Sequence, residues 1–395
     1  MPDDKQIQKW LKEGTITKKQ ADKMLADETD SKKETQSNRM ITSVSTIGAI
    51  LLGVGALLFI SSNWEKMSNL LKIAILVVAT FGSYFVGYLF KYQKKNLPKV
   101  GASLFFLGAL LFGASIMLIA QMYNINANSH TLVLIWLLGI LPLIYAFESV
   151  PIAGLAAFLF LLWIGLFQYR TLSWGSSGDM IKLPLLYLVS GILLFGIGGM
   201  HYISERLKGV ARTYRIAGLK VAMISLFLLT FKFYTGVYDG FNYWSKMEIS
   251  SQFTIGFVIF ALLAILIMVI NLFFNLTRSQ VNYLENAMPL GLVALALIFY
   301  FFTPVNNLYT ILFNLVFAAI IFALLWEGYQ REDMTLVNMG MGWLAALVVF
   351  RYYDFFWDLL PRSLFFMVGG LILVLGGIAL EKKRRDLKSK FKRRK

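Results

Sequence analysis

The sequence predicts an all-α fold: a polytopic bundle of about twelve transmembrane helices. Both termini lie inside, and a short cytoplasmic helical hairpin precedes the first span. Three observations predict it. Hydrophobic residues fill 57% of the 395 positions, against roughly 45–50% in soluble domains. They are gathered into long runs. Lysine and arginine fall overwhelmingly in alternate loops. A span needs about 20 mostly apolar residues to cross about 30 Å of hydrocarbon. In that solvent no backbone polar group can go unpaired, and runs of this length satisfy theirs as helices.

The runs cover residues 41–61, 70–90, 101–121, 131–147, 150–168, 184–203, 216–234, 253–274, 288–302, 308–326, 336–350 and 363–380. The fourth, ninth and eleventh are short. The hairpin at Glu148-Ser149-Val150-Pro151 is tight, so the count is eleven or twelve.

Orientation follows from the basic residues of the loops. With the N-terminus inside, inner segments carry 29 of the 38 lysines and arginines and outer loops carry 6. Lys72, Lys220 and Lys232 lie within spans. Lys232 can snorkel to the outer boundary and Lys220 to the inner one. The net charge of +16 is therefore mostly a positive-inside signal. The tail "KKRRDLKSKFKRRK" reads as an anchor on anionic lipid, each basic residue contributing roughly 1 kcal/mol near the surface. Nucleic acid is not expected as a partner.

Residues 1–40 form a separate cytoplasmic unit, 41–380 the membrane domain and 381–395 the basic tail. In "DKQIQKWLKEG", Ile7, Trp10 and Leu11 share one helical face and Gly14 can end the helix. Thr17 to Gln20, "TKKQ", is a capping box, with Ile16 and Ala21 placed as a hydrophobic staple. Ala21, Met24 and Leu25 give the second helix an apolar face. The hairpin can pack on the membrane domain, pair with a second copy, or recruit a protein partner. Residues 29–39 read as a polar linker. No cleavable signal peptide is expected, because forty polar residues precede the first run.

A weak repeat relates "IGAILLGVGALL" (47–58) to "LGALLFGASIML" (107–118). Gly48/Gly108, Ala49/Ala109, Leu51/Leu111, Gly53/Gly113 and Leu58/Leu118 are identical. Ala and Gly four apart permit close helix approach. The repeat suggests a duplicated two-helix unit, with chance similarity between Gly/Leu-rich helices as the rival explanation.

Three segments carry a resemblance: "WLKEGTITKKQADKML", "SSNWEKMSNLLKIAIL" and "GALLFGASIMLIAQMYNI". Together they resemble an uncharacterised family of bacterial multi-pass membrane proteins that share an N-terminal domain of unknown function. The resemblance spans about residues 5–150. It rests on Asn63-Trp64 after the first span and on Gly113, Ala114, Ser115, Gln121 and Tyr123 in the third. It implies a bacterial plasma (inner) membrane location and little about chemistry.

The predicted outer ends are rich in Tyr, Trp, Phe and Asn and poor in net charge: "SSNWEKMSN", "QMYNINANSH", "FYTGVYDGFNYW", "FRYYDFFWDLLPR". Such groups suit sugars, amphiphiles or lipid head groups in a mostly apolar cleft. The other reading is interface anchoring and helix capping. The candidate ligand-binding residues are Asn63, Trp64, Gln121, Tyr123, Asn124 and His130. If the repeat is real, Asn63-Trp64 and Tyr123-Asn124 occupy equivalent ends and face one another. Glu65 and Lys72, two turns apart, can pair. Arg351, Asp354, Asp358 and Arg362 cluster at one span end, as surface pairs or as a seat for a phosphate or carboxylate. Asn271, Asn275 and Asn314 are the strong amides within later spans.

Absences bound the chemistry. There is no cysteine and there are two histidines, His130 and His201. Disulfides, thiolate sites and a histidine-rich metal centre are not expected. No cofactor motif and no catalytic residue is identified: there is no Walker loop, GxSxG or HExxH. No acid deep in a span offers the relay of a proton-coupled transporter. Three functions remain. The first is binding or translocation of a small amphiphile, sugar or lipid head group. The second is a membrane scaffold recruiting a cytoplasmic partner. The third is an outer-face enzyme on a lipid-linked substrate, using Glu65, Asp179, Asp239, Asp354 or Asp358.

Overall fold

Every regular element among the described residues is helical. The computed structural model describes residues 67–94, 97–125, 129–171, 177–235, 249–276, 283–302, 307–356 and 362–394, with isolated positions between Trp10 and Ser62. Some side chains near helix ends lie outside the described set. The helices are α1 (Asn69–Tyr88), α2 (Pro98–Met122), α3 (Ser129–Phe147), α4 (Val150–Thr171), α5 (Ser177–His201) and α6 (Lys208–Leu229). They continue as α7 (Lys232–Thr235), α8 (Ser251–Leu276), α9 (Tyr283–Phe301), α10 (Leu308–Gln330), α11 (Met334–Phe356) and α12 (Arg362–Arg394). Among the described residues, eight helices are long and apolar enough to cross a membrane by length and composition. The runs expected to be short are longer as helices: α3 and α9 have 19 residues and α11 has 23.

The chain divides into two compact units, residues 1–170 with 201–214, and residues 171–200 with 215–395. In the first, α1 and α2 form an antiparallel hairpin whose backbones meet at glycine. A Cβ on Gly101 would lie 2.7 Å from the Gly87 carbonyl oxygen, and one on Gly87 3.0 Å from that of Gly101. Further along α2 the small residues seat aromatic rings. A Cβ on Gly108 would meet the Tyr84 ring at 2.7 Å, and one on Gly113 would collide with the Trp136 indole of α3. The same indole donates from Nε1 to the Ala109 carbonyl at 2.9 Å. The Gly and Ala positions that suggested a repeat are thus close-approach positions in the second copy. Ala49 and Gly53 of the first copy lie outside the described residues.

α1 ends in a π-helical turn, Leu89–Gln93. The wider turn presents Lys91 and Tyr92 together. Lys91 Nζ donates to the Phe147 carbonyl at 2.8 Å, and the Tyr92 hydroxyl reaches the same oxygen at 3.4 Å. Phe147 is the last residue of α3, whose final carbonyls have no intrahelical donor and carry partial negative charge. Its ring stacks on Phe105 with centroids 3.9 Å apart.

In the second unit α5 is the central element. Of its most apolar stretch 72% is buried, against at most 33% in any other candidate span. It crosses α6 backbone to backbone, where a Cβ on Gly191 would lie 2.8 Å from the Gly218 oxygen. Asn271 of α8 donates to the Gly196 carbonyl at 2.7 Å. α10 and α11 form a second hairpin, with Gly328 against Val337 and Gly340 against Leu325. α12 runs antiparallel to α11. Gly369 lies by Tyr352, Arg384 Nε donates to Asn338 at 2.9 Å, and Leu380 and Leu387 pack on Val337 and Met341. The helix continues across residue 380 into the basic tail without a break.

At the N-terminus, Gln20 Oε1 accepts from both the backbone N–H of Thr17 (3.0 Å) and its hydroxyl (2.9 Å). Ala21 N–H donates to the Thr17 carbonyl. The reach-back half of the capping box is present, with Thr17 donating rather than accepting. Most of residues 1–40 lies outside the described residues.

The glycine seats can be tested by overpacking. Gly113→Ala is expected to destabilise the protein by about 1–3 kcal/mol, because the indole has to leave its place. Gly370→Ala, with open space around it, is expected to change nothing measurable. Thermal unfolding of both variants in one detergent checks the contrast.

Candidate functional site

The end of α2 carries the amide and aromatic residues singled out by sequence, and its backbone explains part of the pattern. Tyr123 N–H donates to the Ile119 carbonyl at 3.1 Å. Asn124 then turns to a φ of 49°. Asn124 N–H reaches the Gln121 carbonyl at 3.2 Å, and Ile125 N–H reaches back to Ala120 at 2.9 Å. These two bonds are the Schellman motif, in which a left-handed residue satisfies the last carbonyls of a helix. Glycine is the usual occupant. Asparagine is among the few others that visit this region routinely, because its short polar side chain bonds locally.

The same solution recurs at two more helix ends. Glu148 (φ 49°) follows α3, and Ser149 N–H reaches Ile144 at 3.3 Å. Glu332 (φ 52°) follows α10, and Asp333 N–H reaches Gly328 at 3.0 Å. Among the described residues these three are the non-glycine positions with positive φ. Glutamate has no preference for this conformation. The tight return of the chain into α4 and α11 holds it there.

Because the backbone closes α2, the side chains are not needed for capping. Gln121, Tyr123 and Asn124 are all exposed. Among the described residues none of the three makes a side-chain hydrogen bond. His130 sits in the first turn of α3, half-buried. Its Nε2 lies 3.3 Å from the Thr131 hydroxyl, and its ring meets Phe167 of α4 edge-on at 5.5 Å. The structure therefore puts Gln121, Tyr123 and Asn124 on one helix end, and His130 at the start of the next helix. Asn63 and Trp64 lie outside the described residues, and so does their expected approach to Tyr123-Asn124.

The other charged and polar candidates divide similarly. Glu65, Asp358 and the side chains of Asn275 and Arg362 lie outside the described residues, while Lys72 is buried on α1. Arg351 and Asp354 pair at 2.7 Å. Asn314 donates to the carbonyls of Thr230 and Thr310, both at 2.8 Å.

Two clusters were not legible. Lys182, expected in an outer loop, is buried on α5 with Nζ 4.2 Å from the centre of the Tyr300 ring. The Tyr300 hydroxyl in turn meets Thr254 at 2.6 Å. His201, given no role, stacks beside Tyr145, whose hydroxyl lies 2.9 Å from its Nε2. Lys182 stands two residues before Pro184 in an otherwise apolar run, and that was its one available signal. For His201 there was none, because Tyr145 is 56 residues away in the chain.

Comparison with known proteins bears on the segment just described. Residues 8–153 match the family model of a predicted membrane protein domain, DUF2157. The resemblance read from the three N-terminal segments is thereby shown. The DUF2157 region takes in α1, α2, α3 and the start of α4, and with them Gln121, Tyr123, Asn124 and His130. No curated protein and no solved structure matches the chain.

Asn124 separates a backbone role from a side-chain role. Asn124→Ala is expected to cost about 1 kcal/mol, the strain of a left-handed residue with an ordinary Cβ. Asn124→Gly is expected to be neutral or slightly stabilising. Gln121→Ala and Tyr123→Ala, at exposed positions, are expected to stay within about 0.5 kcal/mol of wild type. Chemical unfolding in micelles checks all four.

Proposed function

We propose that this integral membrane protein binds the head group of a small amphiphile, sugar or lipid at the outer end of its DUF2157 region. Gln121, Tyr123 and Asn124 would make the contacts. His130 would stand beside them, and Asn63 and Trp64 would complete the site. One observation carries the reading: among the described residues α2 is closed by backbone hydrogen bonds, which leaves the amide of Gln121 and the phenol of Tyr123 exposed and unspent beside Asn124. Amides donate and accept at once and the phenol adds a flat apolar face, a combination suited to hydroxyl-rich or zwitterionic groups.

The reading includes twelve spans with both termini inside, in a bacterial plasma membrane. Support for the orientation is the concentration of lysine and arginine in alternate loops. Support for separate fourth and fifth spans is that α3 and α4, either side of Glu148-Ser149, each have the length and composition of a span. Translocation of the bound molecule, as flipping or facilitated passage, is the further step within this reading.

A second reading, a scaffold for a cytoplasmic partner, is favoured by α12. It carries its basic residues on a continuous helix as far as Arg394, with Lys382, Lys383, Lys388 and Lys390 exposed.

Native mass spectrometry on protein extracted with its surrounding lipid tests the binding site. Wild type is expected to retain a bound molecule that Gln121→Ala/Tyr123→Ala loses while staying folded. Equal retention by both would refute the site. The absence of cysteine makes orientation testable with single substitutions and a membrane-impermeant maleimide. Tyr123→Cys is expected to label in intact cells, and Lys388→Cys only after permeabilisation. The reverse pattern would invert the topology.

A further inference from the structure

The second unit contains a polar node that the proposed site does not use. α6 stops at Leu229, the chain turns through Thr230 and Phe231, and α7 resumes at Lys232. An interrupted helix frees backbone carbonyls, and in membrane proteins such breaks are tolerated where other groups satisfy them. Here the Thr230 carbonyl accepts from Asn314 of α10 at 2.8 Å and from Arg351 Nη2 of α11 at 3.1 Å. The Thr230 hydroxyl also accepts from Arg351 Nη2, at 2.6 Å, while donating to the Phe227 carbonyl at 2.6 Å. Just beyond, the Thr235 and Thr310 hydroxyls meet at 2.9 Å. Thr230 and Thr235 are fully buried.

Arg351 is thus fixed from one side. Its guanidinium also lies 4.8 Å from the centre of the Phe231 ring. On the other side, among the described residues, it meets Asp354, through Nη1 and a single carboxylate oxygen at 2.7 Å. Its Nε–H is buried and has no partner among the described residues. Asp354 is therefore held by one bond to Nη1, although a guanidinium can give two parallel bonds to one anion. Asp354 is the exposed member of the pair, its side chain 46% accessible against 19% for Arg351. An exposed pair one turn apart on a helix holds its acid weakly.

We propose that Arg351 anchors a phosphate-binding site at this end of the α10–α11 hairpin, with Asp354 as an exchangeable resident carboxylate. A phosphate group carries more negative charge and more acceptor oxygens than a carboxylate, so it can take the place of Asp354 at Nη1. Thr230 and Asn314 are positioning residues: they fix the guanidinium and the helix break behind it. The phosphate can belong to a phospholipid head group or be free in solution. The proposal does not depend on the Gln121 site.

The test uses the full chain in phosphatidylglycerol nanodiscs, with lipid retention after delipidation read by native mass spectrometry. Asp354→Asn removes the competing charge and is expected to retain several-fold more phosphatidylglycerol than wild type. Arg351→Gln is expected to lose this retention. If Arg351→Gln does not fold, Arg351→Lys keeps the charge without the planar fork and is expected to retain no more than wild type in the Asp354→Asn background. Inorganic phosphate added to the Asp354→Asn protein separates the sources. Displacement of the lipid with a raised melting temperature indicates a site for free phosphate, and no displacement a head-group site. Asp354→Asn retaining no more lipid than wild type, or either Arg351 variant retaining as much as Asp354→Asn, overturns the proposal.

Discussion

A backbone carbonyl without a donor is a costly defect in an apolar solvent, and much of this structure is arranged around avoiding it. Within helices the problem is solved by the helix itself. At ends and breaks, donors have to be found. Asn124, Glu148 and Glu332 turn left-handed so that following amides reach back. The ammonium of Lys91 covers the last carbonyl of α3. Asn314 and Arg351 cover the carbonyl left by the break after α6. The most informative polar side chains are therefore the ones that backbone chemistry recruits, and the ones it leaves over.

That distinction organises the functional reading. Asn124 is accounted for by its φ, so its identity does not require a ligand. Gln121 and Tyr123 are not accounted for in that way, and they stay exposed beside it. Arg351 lies between the two cases. One arm serves Thr230, one serves Asp354, and the buried Nε–H has no partner among the described residues.

Packing follows from the same solvent. Lipid is as apolar as leucine, so helices gain little by burying side chains against each other and associate through close contact and hydrogen bonds. Gly87 against Gly101 and Gly191 against Gly218 bring backbones together. Gly108 and Gly113 admit the Tyr84 and Trp136 rings into α2. Trp136 does both jobs, filling the glycine gap and donating to the Ala109 carbonyl one turn away.

The sequence by itself determined that the fold is helical and membrane-embedded, where most of its helices run, and which family model its N-terminal part resembles. Those properties depend on hydropathy over about 20 neighbouring residues and on local motifs, both of which are written consecutively along the chain. It also located the polar end of α2, because the amides are adjacent there. The structure shows that end closed by a left-handed turn at Asn124, with hydrogen bonds to the preceding turn. Only the tertiary structure decided which distant side chains meet. Lys182 meets Tyr300 across 118 residues, His201 meets Tyr145 across 56, and Arg351 meets Thr230 across 121. Partnerships at such separations are set by which helices lie side by side and in what register, and no window of local sequence contains that information.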